Sequence, residues 1–373
     1  MTSPPPQTMT ARVAFVVNGT PESAMGQRAR EFARRLPGCD IQCCYRAGWK
    51  GLAALRLWRE LVAFRPAVCC VFDHGFDGVL ATAAYCRIHR ITWILDTGDN
   101  IVALGIALGR TGASRIATQW LDRFGERSAD HIVVRGRGHH DAYAARGIAA
   151  TWIPDGVDVE QFAAKLLPDE PSATNPLVIG LIGSSQWNGP TVMFYGQELI
   201  DVACDLASRN DFPFPVHGLM IGDGSGIPVL QQRLRDRGLE HLVTFLGRRN
   251  YDELPSLLAS MHVCLSTQTD DDVGAVRTTG KLPLYLAAGR FVLASRVGEA
   301  ARILPPAMLV PYDGTNDTAY ASRVAERVRS LVRSKTSFRH RQECVDLAQA
   351  NFDYDALARR YGKIVDELLN ART

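Results

Sequence analysis

Two basic side chains that flank a short polar stretch are the clearest candidates for chemistry in this 373-residue chain. Arg277 and Lys281 are separated by Thr-Thr-Gly, and the strongly apolar residues that follow predict a helix over 281–288. Two cations at a helix N-terminus are suited to binding a diphosphate. The alternative is a surface loop with two solvated cations. The apolar neighbours of Lys281 make it the better candidate of the two.

A glycine-rich turn is the second candidate. Residues 222–226 read Gly-Asp-Gly-Ser-Gly and separate a predicted strand from a predicted helix over 229–236. Glycines at such a place let backbone N–H groups approach a phosphate or a nucleotide. The spacing differs from the dinucleotide fingerprint, and no acidic residue lies where it would bind a ribose, so an oxidoreductase is weakly supported. A tight turn with a purely structural role is the alternative.

The elements that must position these residues alternate along the chain. Short apolar runs typical of buried strands lie at 13–17, 68–72, 92–95, 131–134, 177–182, 217–221, 243–246, 263–265 and 291–294. Longer amphipathic stretches separate most of them, which predicts α/β domains with parallel sheets. Residues 166–176 are rich in Pro, Ser, Asp and Asn and are predicted to link two Rossmann-like domains. An amphipathic helix over 354–369 is predicted to end the chain.

Composition excludes several classes of protein. The longest uncharged apolar run, 101–109, has about nine residues, whereas a membrane-spanning helix needs ~20. The first twelve residues lack the apolar core of a secretory signal. The nine cysteines show neither Cys-x-x-Cys nor zinc-ligand spacing, so we expect reduced core cysteines in a cytoplasmic protein.

Charge is distributed unevenly. Residues 1–90 contain 12 basic and 6 acidic side chains, although the whole chain carries a formal charge of only +3. A basic face on the N-terminal part could meet an anionic membrane surface, and an ordinary solvated surface is the alternative. No basic run with interleaved aromatic residues is present, so nucleic acid is not an expected partner.

In their order and spacing, these features resemble glycosyltransferase family 4, whose members have the GT-B fold. Four passages carry the resemblance: 129–162, which contains Ile-Pro-Asp-Gly-Val-Asp; 218–224 with 243–247; 280–295, which reads GKLPLYLAAGRFVLAS; and 352–369. The resemblance implies an acceptor-binding domain over 1–165 and a donor-binding domain over 177–352 that face each other across a cleft. It also implies that a final helix, 353–373, returns to the first domain.

The activity implied is transfer of a sugar from a UDP- or GDP-sugar with retention at the anomeric carbon. The acceptor would be a glycan, a lipid-linked molecule or a small molecule. Such enzymes usually need neither a metal nor another cofactor, because protein cations neutralise the leaving diphosphate. The reaction would take place in the cytoplasm, with peripheral contact to the cytoplasmic face of a membrane as an option.

The resemblance also assigns roles to individual residues. Lys281 and Arg277 would bind the diphosphate as catalytic groups. Arg248 would lie where the base is commonly met. The remaining donor-site candidates are glycines and their neighbours from both domains, namely Gly183, Ser184, Gly222, Asp223, Gly224 and Gly280 in the second domain and Gly19, Gly26 and Arg28 in the first.

Several positions depart from the family pattern. Val276 and Leu284 stand where a Glu-x7-Glu pair is usual, and Ser184 and Asn188 replace an arginine and a lysine. These losses favour two alternatives: a nucleotide-sugar-binding scaffold without activity, or a pseudo-glycosyltransferase or epimerase of the same fold.

Comparison with the acceptor-binding domain of the family suggests two further catalytic candidates. Where many members have a histidine, this chain reads Asp96-Thr97-Gly98-Asp99-Asn100. Asp99 could then position or deprotonate an acceptor hydroxyl, or simply cap a helix. His74 lies in a similar loop and is the other catalytic candidate. The Asp-x-Asp sequence within 270–272 is a motif that binds a divalent metal in the other large glycosyltransferase fold, but here it lies in a loop of a parallel two-domain chain, which favours a solvated loop. The histidine pair at 139–140 lacks a third ligand nearby, so no metal site is predicted.

Overall fold

The computed structural model describes residues 11–49, 51–163, 169–187, 195–339 and 341–371. The strands are β1 Ala11–Val17, β2 Cys39–Tyr45, β3 Val68–Phe72, β4 Thr92–Thr97, β5 His131–Val134, β6 Thr151–Trp152, β7 Leu177–Ile182, β8 Val216–Ile221, β9 Val243–Phe245, β10 Val263–Ser266, β11 Phe291–Ser295 and β12 Leu309–Val310. The helices are α1 Ala24–Arg35, α2 Leu52–Phe64, α3 Phe76–His89, α4 Ile101–Ala107, α5 Gly112–Ser128, α6 Arg137–Ala145, α7 Val159–Ala163, α8 Gln197–Ala207, α9 Ile227–Arg235, α10 Leu254–Leu258, α11 Lys281–Ala287, α12 Gly298–Ile303, α13 Tyr320–Arg333, α14 Gln342–Phe352 and α15 Tyr354–Asn370.

The strands form two parallel sheets of six. The first has the order β2-β1-β3-β4-β5-β6 and the second the order β12-β11-β10-β7-β8-β9. In each sheet, strands are added first on one side of the sheet's first strand and then on the other side. The strand order therefore reverses between β1 and β3 in the first sheet and between β7 and β10 in the second, and these are the switch points. Ligands of such sheets bind outside the carboxyl ends of the strands at the switch point.

Helices cover both faces of the first sheet. Helices α2, α3, α4 and α5 contribute to one apolar cluster, and α1 and α15 contribute to another on the opposite face. Tyr361 of α15 is fully buried, with its ring centroid 4.8 Å from that of Phe32 and 6.0 Å from that of Phe72. The prediction that the last helix returns to the first domain is therefore confirmed.

The second core begins earlier in the chain than the expected boundary at residue 165. Val157, Val159 and Phe162 pack into the second domain's apolar cluster, ahead of the segment expected to be the linker. Part of that segment, 166–168, lies outside the described residues. In the described part, 169–176, the side-chain amide of Asn175 donates to the carbonyl oxygens of Asp169 and Glu170.

The two places where the chain passes between the domains lie side by side. The backbone N–H of Val157 donates to the carbonyl oxygen of Phe352 at 2.8 Å, and that of Tyr354 donates to the carbonyl oxygen of Val157 at 3.1 Å. Asp353 between them caps α15, since its carboxylate accepts from the N–H of Ala356. The double crossing is thus a hydrogen-bonded unit.

All nine strands predicted from the sequence are present, with ends that differ by at most two residues. The sequence missed β2, β6 and β12. β2 is an edge strand with one buried residue, Cys44, among seven, so it lacks the continuous apolar run by which the central strands were found. All nine cysteines are free thiols, and six of them are buried.

Candidate active site

Loops from the strand ends of the two domains meet across a cleft. Arg277 Nε lies 2.8 Å from Asp99 Oδ1 of the first domain. Thr278 Oγ1 donates to the carbonyl oxygen of Arg135 at 2.8 Å. Arg248 donates to the carbonyl oxygen of Glu22, in the loop after β1. The loops that carry Asp99 and Glu22 of the first domain therefore face those that carry Arg277 and Arg248 of the second.

The glycines of the 222–226 turn allow two loops to pack backbone to backbone. A Cβ on Gly222 would lie 2.0 Å from the carbonyl oxygen of Gly183, and one on Gly224 would lie 2.0 Å from that of Ser185. Both turn glycines have positive φ, 143° and 128°. These facts supply a structural reason for glycine at both positions, and a role in nucleotide binding remains a prediction.

Lys281 is the most unusual side chain of the site. It begins α11, its Nζ is shielded from solvent, and Nζ has no hydrogen-bond acceptor among the described residues. Nζ lies 4.5 Å from the ring centroid of Tyr195. A Cβ on Gly183, which directly follows β7, would lie 3.4 Å from Nζ, so the amine reaches the switch point of the second sheet.

Burial lowers the pKa of Lys281 to about 8, and the carboxylate of Glu198 opposes that shift. Glu198 lies in the first turn of α8 and is 2 % exposed. One of its oxygens accepts from the N–H of Gly196 at 2.8 Å, whereas the other has no partner within the described part of the chain. A shielded ammonium near a carboxylate, with no acceptor in the described part of the chain, is electrostatically suited to an incoming anionic oxygen.

Arg277 and Asp99, both expected to be catalytic, bind each other. Arg277 is about one-third exposed and Asp99 about one-fifth. Asp99 does not cap α4, because Asn100 is the N-cap and accepts from the N–H of Ala103 at 3.0 Å. The helix-cap alternative for Asp99 is therefore wrong, and its carboxylate pairs with Arg277 across the cleft.

Arg28 does not face the cleft, contrary to expectation. Its guanidinium is 1 % exposed and lies 2.9 Å from the fully buried carboxylate of Asp96. It also donates to the carbonyl oxygens of Ile153 and Pro154. The physical reason is helical periodicity, since Arg28 shares an inward face of α1 with Phe32, whose ring centroid lies 4.7 Å from its guanidinium carbon.

Gly26 has also a structural role in place of the expected one. Its N–H donates to the side chain of Ser23, the N-cap of α1, at 3.1 Å. A Cβ at this position would lie 2.4 Å from two carbonyl oxygens of the preceding turn. Its N–H is thus used within the first domain, while Gly19 lies in the same strand-end loop beside Ser23.

His74 is enclosed by α5 and does not present its imidazole to the cleft. Its side chain is 1 % exposed, with Nδ1 3.8 Å from Oδ1 of Asp122. Neither ring nitrogen has a hydrogen-bond partner among the described residues. Burial, and then His139, lower the pKa of His74 to about 4, so the ring is neutral at physiological pH. Direct contact with an acceptor is not supported by this placement.

The remaining candidates lie around the second domain's strand ends. Ser184, Asp223 and Arg248 are exposed, and Arg248 lies 3.9 Å from Asp223. A Cβ on Gly280, just before α11, would meet no atom within 4 Å. The space next to Lys281 is therefore open on the Gly280 side.

A cavity of about 420 Å³ has Asn100, the chain neighbour of Asp99, in its wall. Its walls come from α4, α5 and the loop that carries Asp272 of the second domain. Asp122 is among its lining residues, and burial and Glu126 raise the pKa of Asp122 to about 6. Asp271, the middle residue of the Asp-x-Asp sequence, accepts the N–H groups of Val273 and Gly274.

Two absences hold for the described residues. No group of three or more His, Cys, Asp or Glu side chains there is arranged to hold a metal ion. No helix in the described ranges combines the length and the apolar character needed to span a bilayer.

Sequence reasoning missed the contact between the loops after β5 and before α11. A Cβ on Gly136 would lie 2.0 Å from the carbonyl oxygen of Val276, and one on Gly138 2.2 Å from that of Ala275. Arg137 between them binds Glu299 of the second domain, Nη1 to Oε1, at 2.7 Å. The Gly-x-Gly spacing immediately after a predicted strand was the available signal.

Comparison with known proteins agrees with this arrangement. Residues 195–329 match the family model of glycosyl transferases group 1. No curated protein matches the chain in sequence.

Solved structures match almost the whole chain at low identity. HepE of Anabaena, in complex with UDP and glucose, is 15 % identical over 96 % of this chain and 100 % of its own, with a TM-score of 0.71. Sucrose-phosphate synthase of Thermosynechococcus elongatus is 14 % identical over 97 % of this chain and 100 % of its own, with a TM-score of 0.72. A glycosyltransferase of Rickettsia africae is 12 % identical over 97 % of this chain and 99 % of its own, with a TM-score of 0.70.

The predicted fold is confirmed: two Rossmann-like domains form the GT-B architecture of glycosyltransferases. The segment with the glycine-rich turn, Glu198 and Lys281 matches the group 1 glycosyltransferase family model, which supports a glycosyltransferase. The narrower assignment to family 4 stays a prediction.

Proposed function

We propose that this glycosyltransferase moves a sugar from a UDP- or GDP-sugar to an acceptor hydroxyl, with retention at the anomeric carbon and without a metal or another cofactor. The donor would lie against the second domain, and the acceptor, a glycan, a lipid-linked molecule or a small molecule, against the first. UDP or UDP-glucose is bound in the HepE structures, which supports a uridine nucleotide as the first donor to test.

The observation that carries the proposal is the shielded ammonium of Lys281, which has no acceptor among the described residues. It lies where a diphosphate would reach the switch point of the second sheet, beside the open space next to Gly280. A cation fixed in a shielded site stabilises the charge that develops on a leaving diphosphate more strongly than one in water does. Arg277 is placed to assist, provided that its pairing with Asp99 loosens when the donor binds.

The cavity beside Asp99 is the proposed acceptor site. Asn100 and Asp122 place polar groups in its wall, and Asn100 directly follows Asp99 in the chain. A carboxylate within reach of an acceptor hydroxyl can orient that hydroxyl or take its proton. We assign this role to Asp99 because His74, the other candidate, is neutral and enclosed.

A binding scaffold without activity is the second candidate. The absence of the two glutamates at 276 and 284 favours it, because no carboxylate from those positions can bind the donor ribose. An epimerase or pseudo-glycosyltransferase would be distinguished from both by the product that it forms from the donor alone.

One series of measurements separates these functions. Calorimetry with UDP and GDP measures donor affinity, and mass spectrometry of the products of donor alone and of donor with an acceptor panel measures chemistry. We expect diphosphate binding, slow donor hydrolysis and sugar transfer, with Lys281→Ala lowering transfer by ~10²-fold or more. Binding without any turnover would establish the scaffold, and unchanged turnover in Lys281→Ala would remove the assignment of that residue.

A further inference from the structure

The first domain exposes an unusual set of apolar side chains on one side. Ten of the eleven large apolar side chains that are exposed among the described residues fall within residues 49–120. The most exposed are Trp49 at 85 %, Leu52 at 67 %, Ile116 at 67 % and Ile88 at 66 %. Apolar residues scattered singly over a surface need no explanation, but such a concentration marks an interaction site.

These side chains share one layer of the fold. Helices α2, α3, α4 and α5 pack their inner sides into the same apolar cluster, on the side of the first sheet opposite α1 and α15. Their outer sides carry Leu52, Leu55 and Val62 on α2, Ile88 on α3, Ile106 on α4, and Ile116 and Trp120 on α5. We call the outer side of this layer, residues 49–128, the outer helical face.

The exposed charges of the outer helical face have a single sign. Nine arginines are exposed there, at positions 56, 59, 65, 87, 90, 110, 115, 123 and 127. No carboxylate is exposed among the described residues of the same stretch. Glu60, Asp77 and Glu126 are at least partly buried and bind Arg56, Arg46 and Arg146 respectively.

We propose that the outer helical face binds an anionic lipid bilayer. Arginines on such a face attract the negative headgroups, with each basic residue near the surface adding to the affinity. Exposed Trp, Ile and Leu side chains between them can enter the boundary between headgroups and acyl chains, where an indole ring is favoured. A second protein with an apolar interface would not require nine arginines without a single exposed carboxylate.

The outer helical face continues into the proposed acceptor cavity. Ile106 and Arg123 are exposed on this face and also line that cavity. If the proposed sugar transfer holds, a lipid-anchored acceptor with an anionic headgroup would reach Asp99 while its tail stays in the bilayer. This geometry favours the lipid-linked class among the three acceptor classes.

Vesicle co-sedimentation of the full chain tests the proposal. The vesicles contain phosphatidylcholine alone or phosphatidylcholine mixed with phosphatidylglycerol. We expect pelleting with the mixed vesicles only, reduced by salt. Combining Arg59→Gln, Arg87→Gln and Arg115→Gln should lower the partition coefficient on the order of 100-fold. The matched control replaces three exposed arginines elsewhere, Arg235→Gln, Arg339→Gln and Arg359→Gln, and should pellet nearly as the unchanged chain does.

The apolar contribution has its own measurement. Brominated phosphatidylcholine in the mixed vesicles should quench tryptophan fluorescence, and replacing Trp49 and Trp120 by Phe should remove most of that quenching. Circular dichroism of each variant establishes that it is folded, so a loss of binding is not a loss of structure.

Three results would overturn the proposal. The first is no pelleting with anionic vesicles at low salt. The second is an equal loss in the control triple variant, which would mean that net charge alone is responsible. The third is concentration-dependent self-association without vesicle binding, abolished by Ile88→Ser with Ile116→Ser, which would assign the face to a second copy of the chain. Vesicle binding needs no donor, so these results leave the proposed sugar transfer untouched.

Discussion

Replacing Lys281 by methionine keeps most of the side chain's volume and removes its charge. Because the pKa of Lys281 is lowered from 10.5 to about 8 in the folded chain, the folded state binds fewer protons than the unfolded state between these two values. The free energy of unfolding therefore rises with pH through this window. Below pH 8 the folded chain bears the full cost of burying the charged Lys281 amine. The lowered pKa corresponds to about 3 kcal/mol.

Urea unfolding at several pH values measures this contribution as a difference between two proteins. Other groups titrate above pH 8, so the unchanged chain and Lys281→Met are compared at each pH, with exposed Lys363→Met as the matched control. We expect Lys281→Met to be the more stable protein below pH 8 and to lose that advantage toward pH 10.5, while Lys363→Met follows the unchanged chain.

Diphosphate binding supplies the second half of the test. At pH 8 about half of the Lys281 amines are neutral, and an anionic oxygen beside Nζ raises the pKa again, so binding UDP takes up about 0.5 proton. Calorimetry in buffers of different ionisation enthalpy measures that uptake. Glu198→Gln should increase it at pH 8, because Glu198 supports the charged amine. Equal proton uptake in Lys281→Met would refute the placement of the diphosphate at this side chain.

Three further predictions rest on other contacts. Asp99→Asn should tighten UDP binding about 5-fold, because Asp99 competes with the diphosphate for Arg277 and a partly exposed ion pair contributes up to about 1 kcal/mol. Calorimetry measures the affinity for UDP, and Arg277→Gln should weaken it. Gly222→Ala should lower the free energy of unfolding by about 2–3 kcal/mol, because its Cβ would meet a carbonyl oxygen at 2.0 Å and its φ is 143°. The control Gly280→Ala should leave the free energy of unfolding nearly unchanged. Equal urea midpoints for the two variants would contradict this prediction. Asp96→Asn should cost about 3–5 kcal/mol in thermal or urea unfolding, because two buried guanidinium groups would lose their nearest carboxylate and keep only the more distant Asp155, at 3.5 and 3.9 Å. A loss below 1 kcal/mol would contradict the buried network.

The central strands could be predicted because their sequences are continuous apolar runs. β3, with the sequence VCCVF, is buried at all five positions, so no polar residue interrupts its apolar run. β2 escaped prediction because an edge strand with six partly or fully exposed residues has a mixed pattern. The order of strands in each sheet follows from tertiary packing and could be taken only from resemblance.

The site was predicted in part. The types and local spacing of Arg277 and Lys281 identified them, but the partner of Arg277 lies 178 positions away in the chain. Nor could local sequence reveal that the amine of Lys281 is shielded beside Glu198. Arg28 was assigned to the donor site by resemblance, whereas its spacing from Phe32 places both on one buried face of α1.

The return of α15 to the first domain determines the order in which the protein can be completed during synthesis. The second core uses residues from 157 to 352, an uninterrupted stretch, so it can close as soon as that stretch has left the ribosome. The first core needs Tyr354, Tyr361 and Val365, which are made after the whole of the second core. The domain that is synthesised first is therefore completed second. Until α15 packs onto it, Phe15, Phe32 and Phe72 are exposed as an apolar groove of the kind that chaperones bind.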